Sequence, residues 1–413
     1  MTAVDVASPH LLQKLKSARA ETDRLFAILT PEAIYERPIA ERHRVIFYIG
    51  HLDGFDAIQI CREGLGLKSS DEEFDDLFQA GIDPDSGHLP SDTPSDWPSL
   101  SQVLAYRDRC RQRVDESLDR ASDEIVSMAI EHRFMHLETL AYMLHNFDHD
   151  LKVKPFQSSC TPVTPRLQNE WRDIPKGEAV LGKKLDASFG WDNEYAEVRV
   201  TVPTFRIQRF PVTNGDYLRF VNETGAPPPH FWLSAGSDFL LKGMFENVAL
   251  PLDWPVYVTE LEAESYARWL GKDLPTEEQF HRAAYATPHT SPGRNHRLYP
   301  WGDEPPTHDC GNFDFKAWDP ESVYATPNGD SYWGVSQLVG NGWEWTRSAF
   351  APFPGFKARA SYPGYSSNFF DGDHYVIKGG SSRTASELLR PSFRNWFRRD
   401  YPYVYAKFRC VEN

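Results

Sequence analysis

Cysteine is scarce in this chain. Cys61, Cys110, Cys160, Cys310 and Cys410 make five in 413 residues, an odd number with no CxxC spacing. That argues against a disulfide scaffold and a zinc ribbon and fits a reducing compartment. Basic charge is short as well. The formal net charge is -15 and no basic stripe balances it, which argues against nucleic acid as a partner. No apolar run approaches the roughly 18 residues of a membrane span. The N-terminus lacks a basic-then-apolar signal segment, so the expectation is a soluble cytoplasmic protein that does not engage membrane. The length leaves room for two or three domains, each with its own core.

The first half is helical in pattern. Leu11, Leu12, Leu15, Ala18, Leu25 and Phe26 recur at helical spacing between about Pro9 and Leu29. A second helix is expected from about Glu41 to Gly64, through Val45, Ile46, Tyr48, Ile49, Leu52, Phe55 and Ile58, with His51 at its middle. The acidic stretch Lys68–Pro98, with Gly81-Ile82-Asp83-Pro84 and Pro94-Ser95-Asp96-Trp97-Pro98, reads as a long loop. Ser99 starts a third helix, basic through Arg107, Arg109, Arg111 and Arg113, and a fourth runs from about Asp123 to Asp148. Four such helices predict a bundle over residues 1–153.

The fourth helix carries Glu131-His132-Arg133-Phe134-Met135-His136-Leu137-Glu138. His132 and His136 are four apart, so both imidazoles project from one helical face and can take adjacent positions on one metal. Glu138 lies too far round to share that face and reads better as support for the ligands. His51, about eighty residues earlier on a facing helix, is the candidate third imidazole, with His43 and His145 as alternatives. A three-histidine set leaves positions open for dioxygen and substrate.

A linker is expected over residues 154–170, rich in Pro, Ser and Thr from Lys154 to Gln168. Residues 171–413 then change character, with short β-prone runs such as Ala196–Val202 and Tyr375–Lys378 between Gly, Pro and Asn. Helices are expected from Thr259 to about Leu270 and from Pro275-Thr276-Glu277-Glu278, where Thr276 can cap. The fold class is multidomain, an α bundle followed by an irregular α+β domain with Trp and Tyr in its core.

Six ordered blocks in that second part resemble the formylglycine-generating-enzyme fold, a C-type-lectin-like domain. They are Pro211-Val212-Thr213-Asn214, Gly271-Lys272-Asp273-Leu274-Pro275-Thr276-Glu277, Tyr299-Pro300-Trp301-Gly302, Val339-Gly340-Asn341-Gly342-Trp343-Glu344-Trp345-Thr346, Lys378-Gly379-Gly380-Ser381 and Phe408-Arg409-Cys410. The N-terminal part resembles DinB-type bundles, whose single His plus HxxxHxE motif matches His51, His132, His136 and Glu138. Fused in this order, the two are similar to the ergothioneine-biosynthesis sulfoxide synthases of the EgtB type.

That resemblance implies a mononuclear non-haem Fe(II) enzyme with the three histidines as ligands. It implies O2-dependent joining of a thiol sulfur to the imidazole C2 of Nα-trimethylhistidine (hercynine), leaving a sulfoxide. Tyr362-Pro363-Gly364-Tyr365 matches the family's paired tyrosines. The match makes Tyr362 the candidate proton or hydrogen-atom donor and Tyr365 a substrate-positioning group. Arg394-Asn395-Trp396 matches its Arg-Asn-Trp segment, implicating all three in holding hercynine, with the indole suited to a trimethylammonium. Trp343 and Trp345 read as structural, because that block recurs in members with unrelated functions.

The chain departs from the pattern at three places. Phe397 stands where synthases using γ-glutamylcysteine carry Asp, and Arg133, Phe134 and Met135 stand where Gln is frequent. Phe47-Tyr48-Ile49-Gly50 replaces the family's Trp-x-x-Gly wording before His51. Phe397 and Met135 therefore join the candidate substrate contacts, and cysteine, γ-glutamylcysteine and a selenium donor all stay open. Formylglycine chemistry itself is not expected, since Cys410 has no nearby second cysteine. A selenoneine-synthase-like enzyme, a DinB-type metal-dependent thiol transferase and a non-catalytic lectin-like binding protein are the competing readings.

Overall fold

The computed structural model describes residues 9–79, 89–155, 170–186, 188–288 and 296–413. The turn expected at Gly81-Ile82-Asp83-Pro84, Cys160 and residues 156–169 of the expected linker lie outside these. The chain divides into two compact units, Met1–Gln157 and Ser158–Asn413. Among the described residues no helix is long and apolar enough to cross a membrane.

Among the described residues the first unit has five α-helices: α1 (Pro9–Phe26), α2 (Val45–Ala57), α3 (Glu72–Phe78), α4 (Leu100–Asp115) and α5 (Asp123–His145). α1 buries Leu15, Ala18, Thr22 and Leu25 on one face and packs against α5. α2 is different, because every one of its residues is buried. A helix apolar all round belongs inside, and α2 is packed against α3, α4 and α5 before widening into a π-helical turn at Ile58–Gly64. Ser99 and Ser122 cap α4 and α5 by accepting from the backbone N–H of Gln102 and Ile125. The arginines of α4 are spent on ion pairs, Arg109 with Asp71 and Arg111 with Asp23 and Asp53.

The stretch expected to be loop contains a helix. Asp71 caps α3 by accepting from Phe74 N, and Glu72, Glu73 and Asp75 fill its first turn. Acidity that suggested solvated loop instead complements the positive end of the helix dipole. The described residues 89–98 of that stretch are anchored by Asp92, which accepts from Arg37 (2.5 Å), Arg44 (2.9 Å) and the Trp97 indole (2.8 Å). Burial would raise the Asp92 pKa, but the bonds from Trp97, Arg37 and Arg44 outweigh it and hold it at about 2. The stabilisation is thus complete above the ordinary value of 3.8 and is lost as pH falls through about 2. Asp92→Asn is expected to cost about 1–2 kcal/mol at pH 7, allowing for the water that reaches this carboxylate. Urea titrations of the two proteins should converge as pH falls from 3.8 towards 2. Equal midpoints at pH 7 would contradict this.

Among the described residues the second unit is a set of small sheets with three α-helices. Its strands are β1 (Trp171–Ile174), β2 (Gly177–Leu181), β3 (Val198–Val202), β4 (Phe205–Gln208), β5 (Trp232–Ala235) and β6 (Asp238–Lys242). There follow β7 (Asn247–Ala249), β8 (Trp343–Ala349), β9 (His374–Lys378), β10 (Asn395–Arg398), β11 (Ala406–Lys407) and β12 (Val411–Glu412). They form sheets ordered β1-β4-β12, β10-β9-β8-β11, β2-β3 and β5-β6-β7. All pairings are antiparallel except β11 with β8. The helices α6 (Asn214–Thr224), α7 (Glu260–Trp269) and α8 (Glu277–Ala284) are capped by Thr213, Thr259 and Thr276.

α6 was not among the expected helices. Its cap lies within the block Pro211-Val212-Thr213-Asn214, and Gly225 closes it in the left-handed region at φ 72°. Ile174, Leu181, Phe205, Ile207, Phe280 and Val411 form one core cluster. Trp191, Trp343 and Trp345 are buried outright.

Candidate metal centre

α2 contributes His51, and α5 contributes His132 and His136 one turn apart. All three side chains are buried. Their Nε2 atoms converge: His136 Nε2 lies 3.3 Å from that of His51 and 3.1 Å from that of His132. This trio is the one potential metal-holding group found among the described residues. His43 is elsewhere, stacked on Phe47 at 4.1 Å, and His145 ends α5 outside the trio.

The protonation pattern suits ligands. His51 Nδ1 is 2.6 Å from the carbonyl of Phe78, the last residue of α3, where helix carbonyls lack internal partners. A carbonyl can accept but not donate, so Nδ1 carries the proton and Nε2 keeps its lone pair in the neutral ring. Gly50 makes the approach of α3 possible. A Cβ there would lie 2.6 Å from ring carbons of Phe78.

Burial is the main cause that pushes His51 down to about 4. The Phe78 bond opposes it and the charges of His43 and Arg133 add to it. Burial likewise holds His132 and His136 well below the ordinary histidine range. For His132 the neighbouring imidazoles and Arg133 add to it, and for His136 His51, Arg42 and Arg133 do. Neutral imidazole is the form that binds metal.

Aromatic rings fix the three imidazoles. Phe47 stacks on His51 with centroids 4.9 Å apart, Phe55 stacks on His132 at 3.5 Å, and Tyr48 lies 6.0 Å from His136. Phe47 and Phe55 stand four residues before and after His51. That spacing was a signal available in the sequence and was not used there.

The donor set fits a transition metal. Lone pairs on neutral nitrogens about 3 Å apart repel each other unless a cation sits among them. Nitrogens about 2.1 Å from one metal at angles near 90–100° stand about 3.0–3.2 Å apart, close to the separations here. His136 Nδ1 is buried with no hydrogen-bond partner among the described residues, so that ring is held by its packing. Three imidazoles suit iron, zinc, copper or nickel rather than calcium or magnesium. Glu138 is buried on α5 outside the trio, and Met135 is half-buried beside His136.

The remaining candidate residues belong to the second unit. Tyr362 and Tyr365 have ring centroids 5.8 Å apart, and Tyr365 stacks on buried Trp191 at 4.0 Å. Trp396 stacks on Phe350 at 4.2 Å and meets Tyr365 edge-on at 5.4 Å. These rings form one cluster. Phe397 instead stacks on Tyr401 at 5.2 Å. Successive residues of a strand face opposite sides, so β10 sends Trp396 one way and Asn395 and Phe397 the other.

Arg394, expected among the hercynine contacts, is tied into the protein. It is buried, its Nε and Nη2 donate to Glu277 at 3.0 and 3.1 Å, and its Nη1 donates to the carbonyls of Ala351 and Asn193. With four of its five N–H groups engaged inside the protein, Arg394 holds the start of β10. The Arg-Asn-Trp wording could not reveal this, since a buried arginine and a ligand-binding one look alike in sequence.

Comparison with known proteins bears on both units. Residues 150–413 match the sulfatase-modifying factor enzyme 1-like domain, and residues 14–150 match the DinB superfamily. The chain is 34% identical to a hercynine oxygenase of Mycolicibacterium thermoresistibile over 354 residues, 79% of this chain and 76% of that protein. It is 39% identical to a hercynine oxygenase of Mycobacterium tuberculosis over 54% of this chain and 56% of that protein. It is 27% identical to ergothioneine biosynthesis protein 1 of Neurospora crassa over 94% of this chain, and spans 56% of that longer relative.

Proposed function

The chain belongs to the hercynine oxygenase family, and from that membership we propose that it is an Fe(II)- and O2-dependent sulfoxide synthase acting on hercynine. The reaction joins a thiol to the imidazole C2. Written out, hercynine C2–H, the thiol S–H and O2 give the C2–S(=O) product and one water. The two substrates supply all four electrons, so no external reductant is needed. The observation that carries this reading is the buried convergence of the His51, His132 and His136 Nε2 atoms, 3.1–3.3 Å from neighbour to neighbour.

In this account the three histidines hold iron. Bound there, iron supplies a centre for activating O2 and for stabilising the thiol as thiolate. The protein's own work is positional. Phe47 and Phe55 keep the ligand rings aligned and dry, and the Phe78 carbonyl holds His51 in the tautomer that leaves Nε2 open. Glu138 supports the ligands. On the family resemblance Tyr362 delivers a proton or hydrogen atom from its hydroxyl, and Tyr365 positions substrate. On the same resemblance Asn395 holds the betaine end of hercynine, while the Trp396 indole, on the other side of β10, packs with Phe350 and Tyr365. By that resemblance Met135 and Phe397 are also substrate contacts, and cysteine, γ-glutamylcysteine and a selenium donor stay open as the donor.

An oxygen electrode tests the reading. Uptake by Fe(II)-loaded protein should require hercynine and a thiol together, in a ratio of one O2 per product. Turnover under strict anaerobiosis would overturn it in favour of metal-dependent thiol transfer. Tyr362→Phe should lower kcat about 10²-fold with iron content unchanged, the usual scale for loss of a positioned proton donor. Undiminished turnover by that variant removes Tyr362 from the mechanism.

A further inference from the structure

Arg133 follows His132 directly, yet its side chain does not join the three imidazoles. It is buried completely, and its Nη2 donates to Asp53 Oδ1 at 2.7 Å, Asp56 Oδ2 at 2.6 Å and the Leu52 carbonyl at 3.1 Å. Its Nη1 reaches Thr22 Oγ1 on α1 at 3.4 Å. Leu52, Asp53 and Asp56 all lie on α2 in the stretch immediately after His51. The guanidinium therefore grips α2 beside one ligand from a residue adjacent to another. Two further arginines close the network. Arg111 of α4 approaches Asp53 at 3.1 Å, and Arg19 of α1 lies 3.7 Å from Asp53 and 3.9 Å from Asp56.

Such a network is a poor means of gaining stability. Desolvating buried charges consumes much of their attraction, and well-packed apolar residues of similar volume serve as well or better. What a buried guanidinium held between two fixed carboxylates does supply is register. Sliding α5 by one residue moves it 1.5 Å along its axis and turns it 100°, which carries both of its histidines off His51. Nη2 meets both carboxylates and the Leu52 carbonyl while Nη1 reaches Thr22 on α1, so the planar group is held in one orientation between α2 and α1. The two aspartates also offset a positive charge that would otherwise repel a cation at the neighbouring site.

We propose that Arg133, acting through Asp53 and Asp56, is a positioning residue for the metal centre. The buried clamp sets the register of α5 against α2 and thereby the approach of His51 Nε2 to His136 Nε2. The proposal rests on the reading of the three histidines as a metal site.

Co(II) titration of the full chain tests it, because the visible ligand-field bands report geometry independently of turnover. Arg133→Met should weaken Co(II) binding about tenfold and alter the bands, on the scale typical of supporting residues around metal ligands. The direction is diagnostic. Removing a positive charge near the site would tighten cation binding if Arg133 acted by charge alone. Arg133→Lys, which keeps the charge but loses the planar group and its reach to Thr22, should also shift the bands, and it decides the matter if the methionine variant does not fold. Leu15→Ala, in the α1 core, should lower the unfolding midpoint and leave the bands alone. Wild-type affinity and bands in both Arg133 variants would overturn the proposal, as would tighter binding by Arg133→Met. Failure of the wild-type protein to bind Co(II) would instead overturn the metal site itself.

Discussion

His136→Ala is expected to abolish stoichiometric metal binding and all detectable turnover, the largest single loss in the molecule. His136 is the middle of the trio. Its Nε2 is 3.3 Å from His51 and 3.1 Å from His132, so it neighbours both of the others. Without it, two nitrogens from different helices remain, and the shared vertex of the ligand set is gone. The loss must exceed the roughly 10–100-fold in affinity that follows from disturbing a ligand's supporting partner. Nor can a nearby group step in, since among the described residues no fourth histidine, cysteine or carboxylate joins the cluster. Elemental analysis after Fe(II) loading and desalting measures the effect. One iron per chain retained by the variant would remove the three histidines from the account.

Arg409→Ala should be the most destabilising single change in the second unit, by about 3–5 kcal/mol. Arg409 and Glu344 are both fully buried. The guanidinium Nε faces the carboxylate oxygens at 3.0 and 2.8 Å. Its other nitrogens donate to the carbonyls of Gln208 (3.1 Å), Arg209 (2.8 Å) and Ser336 (2.8 Å). One side chain thereby joins β8, the end of β4 and the segment before Leu338. Truncation strands a buried carboxylate and several carbonyls at once, which is far costlier than the pair's net worth when intact. Since a domain's whole stability is about 5–15 kcal/mol, the variant loses a large part of it. Chemical denaturation followed by tryptophan fluorescence checks this through the buried indoles of Trp343 and Trp345. A midpoint equal to that of the unaltered protein would contradict it.

This ion pair also explains what two of the sequence blocks are for. Val339-Gly340-Asn341-Gly342-Trp343-Glu344-Trp345-Thr346 supplies the acid, and Phe408-Arg409-Cys410 supplies the base. Lys407 adds hydrogen bonds to the Gly340 and Gly342 carbonyls. Such wording persists because it closes the fold, which is why it identifies a fold and says little about substrate.

Legibility followed locality. Helices announced by a capping residue and a periodic face were readable, as at Ser99, Thr259 and Thr276. The pairing of His132 with His136 needed helix geometry alone. α3 was missed because acids near a helix start resemble a solvated loop in composition, and α6 because its cap sat inside a block read for family likeness. Groups defined by tertiary contact were out of reach. The Phe78 carbonyl is backbone and has no residue signature. The burial of Arg394 against Glu277 joins positions 117 apart, and the Arg133 clamp joins positions about eighty apart. Only folding brings those partners together.

The most direct test of the central claim is isotopic. Fe(II)-loaded protein is given hercynine, cysteine, γ-glutamylcysteine or a selenium donor in separate reactions, and 18O2, with product detected by mass. The account predicts a sulfoxide carrying one 18O, two mass units above the product made in ordinary oxygen, with at least one thiol donor. Product with no label, or no product from any donor while iron is stoichiometrically bound, would contradict it.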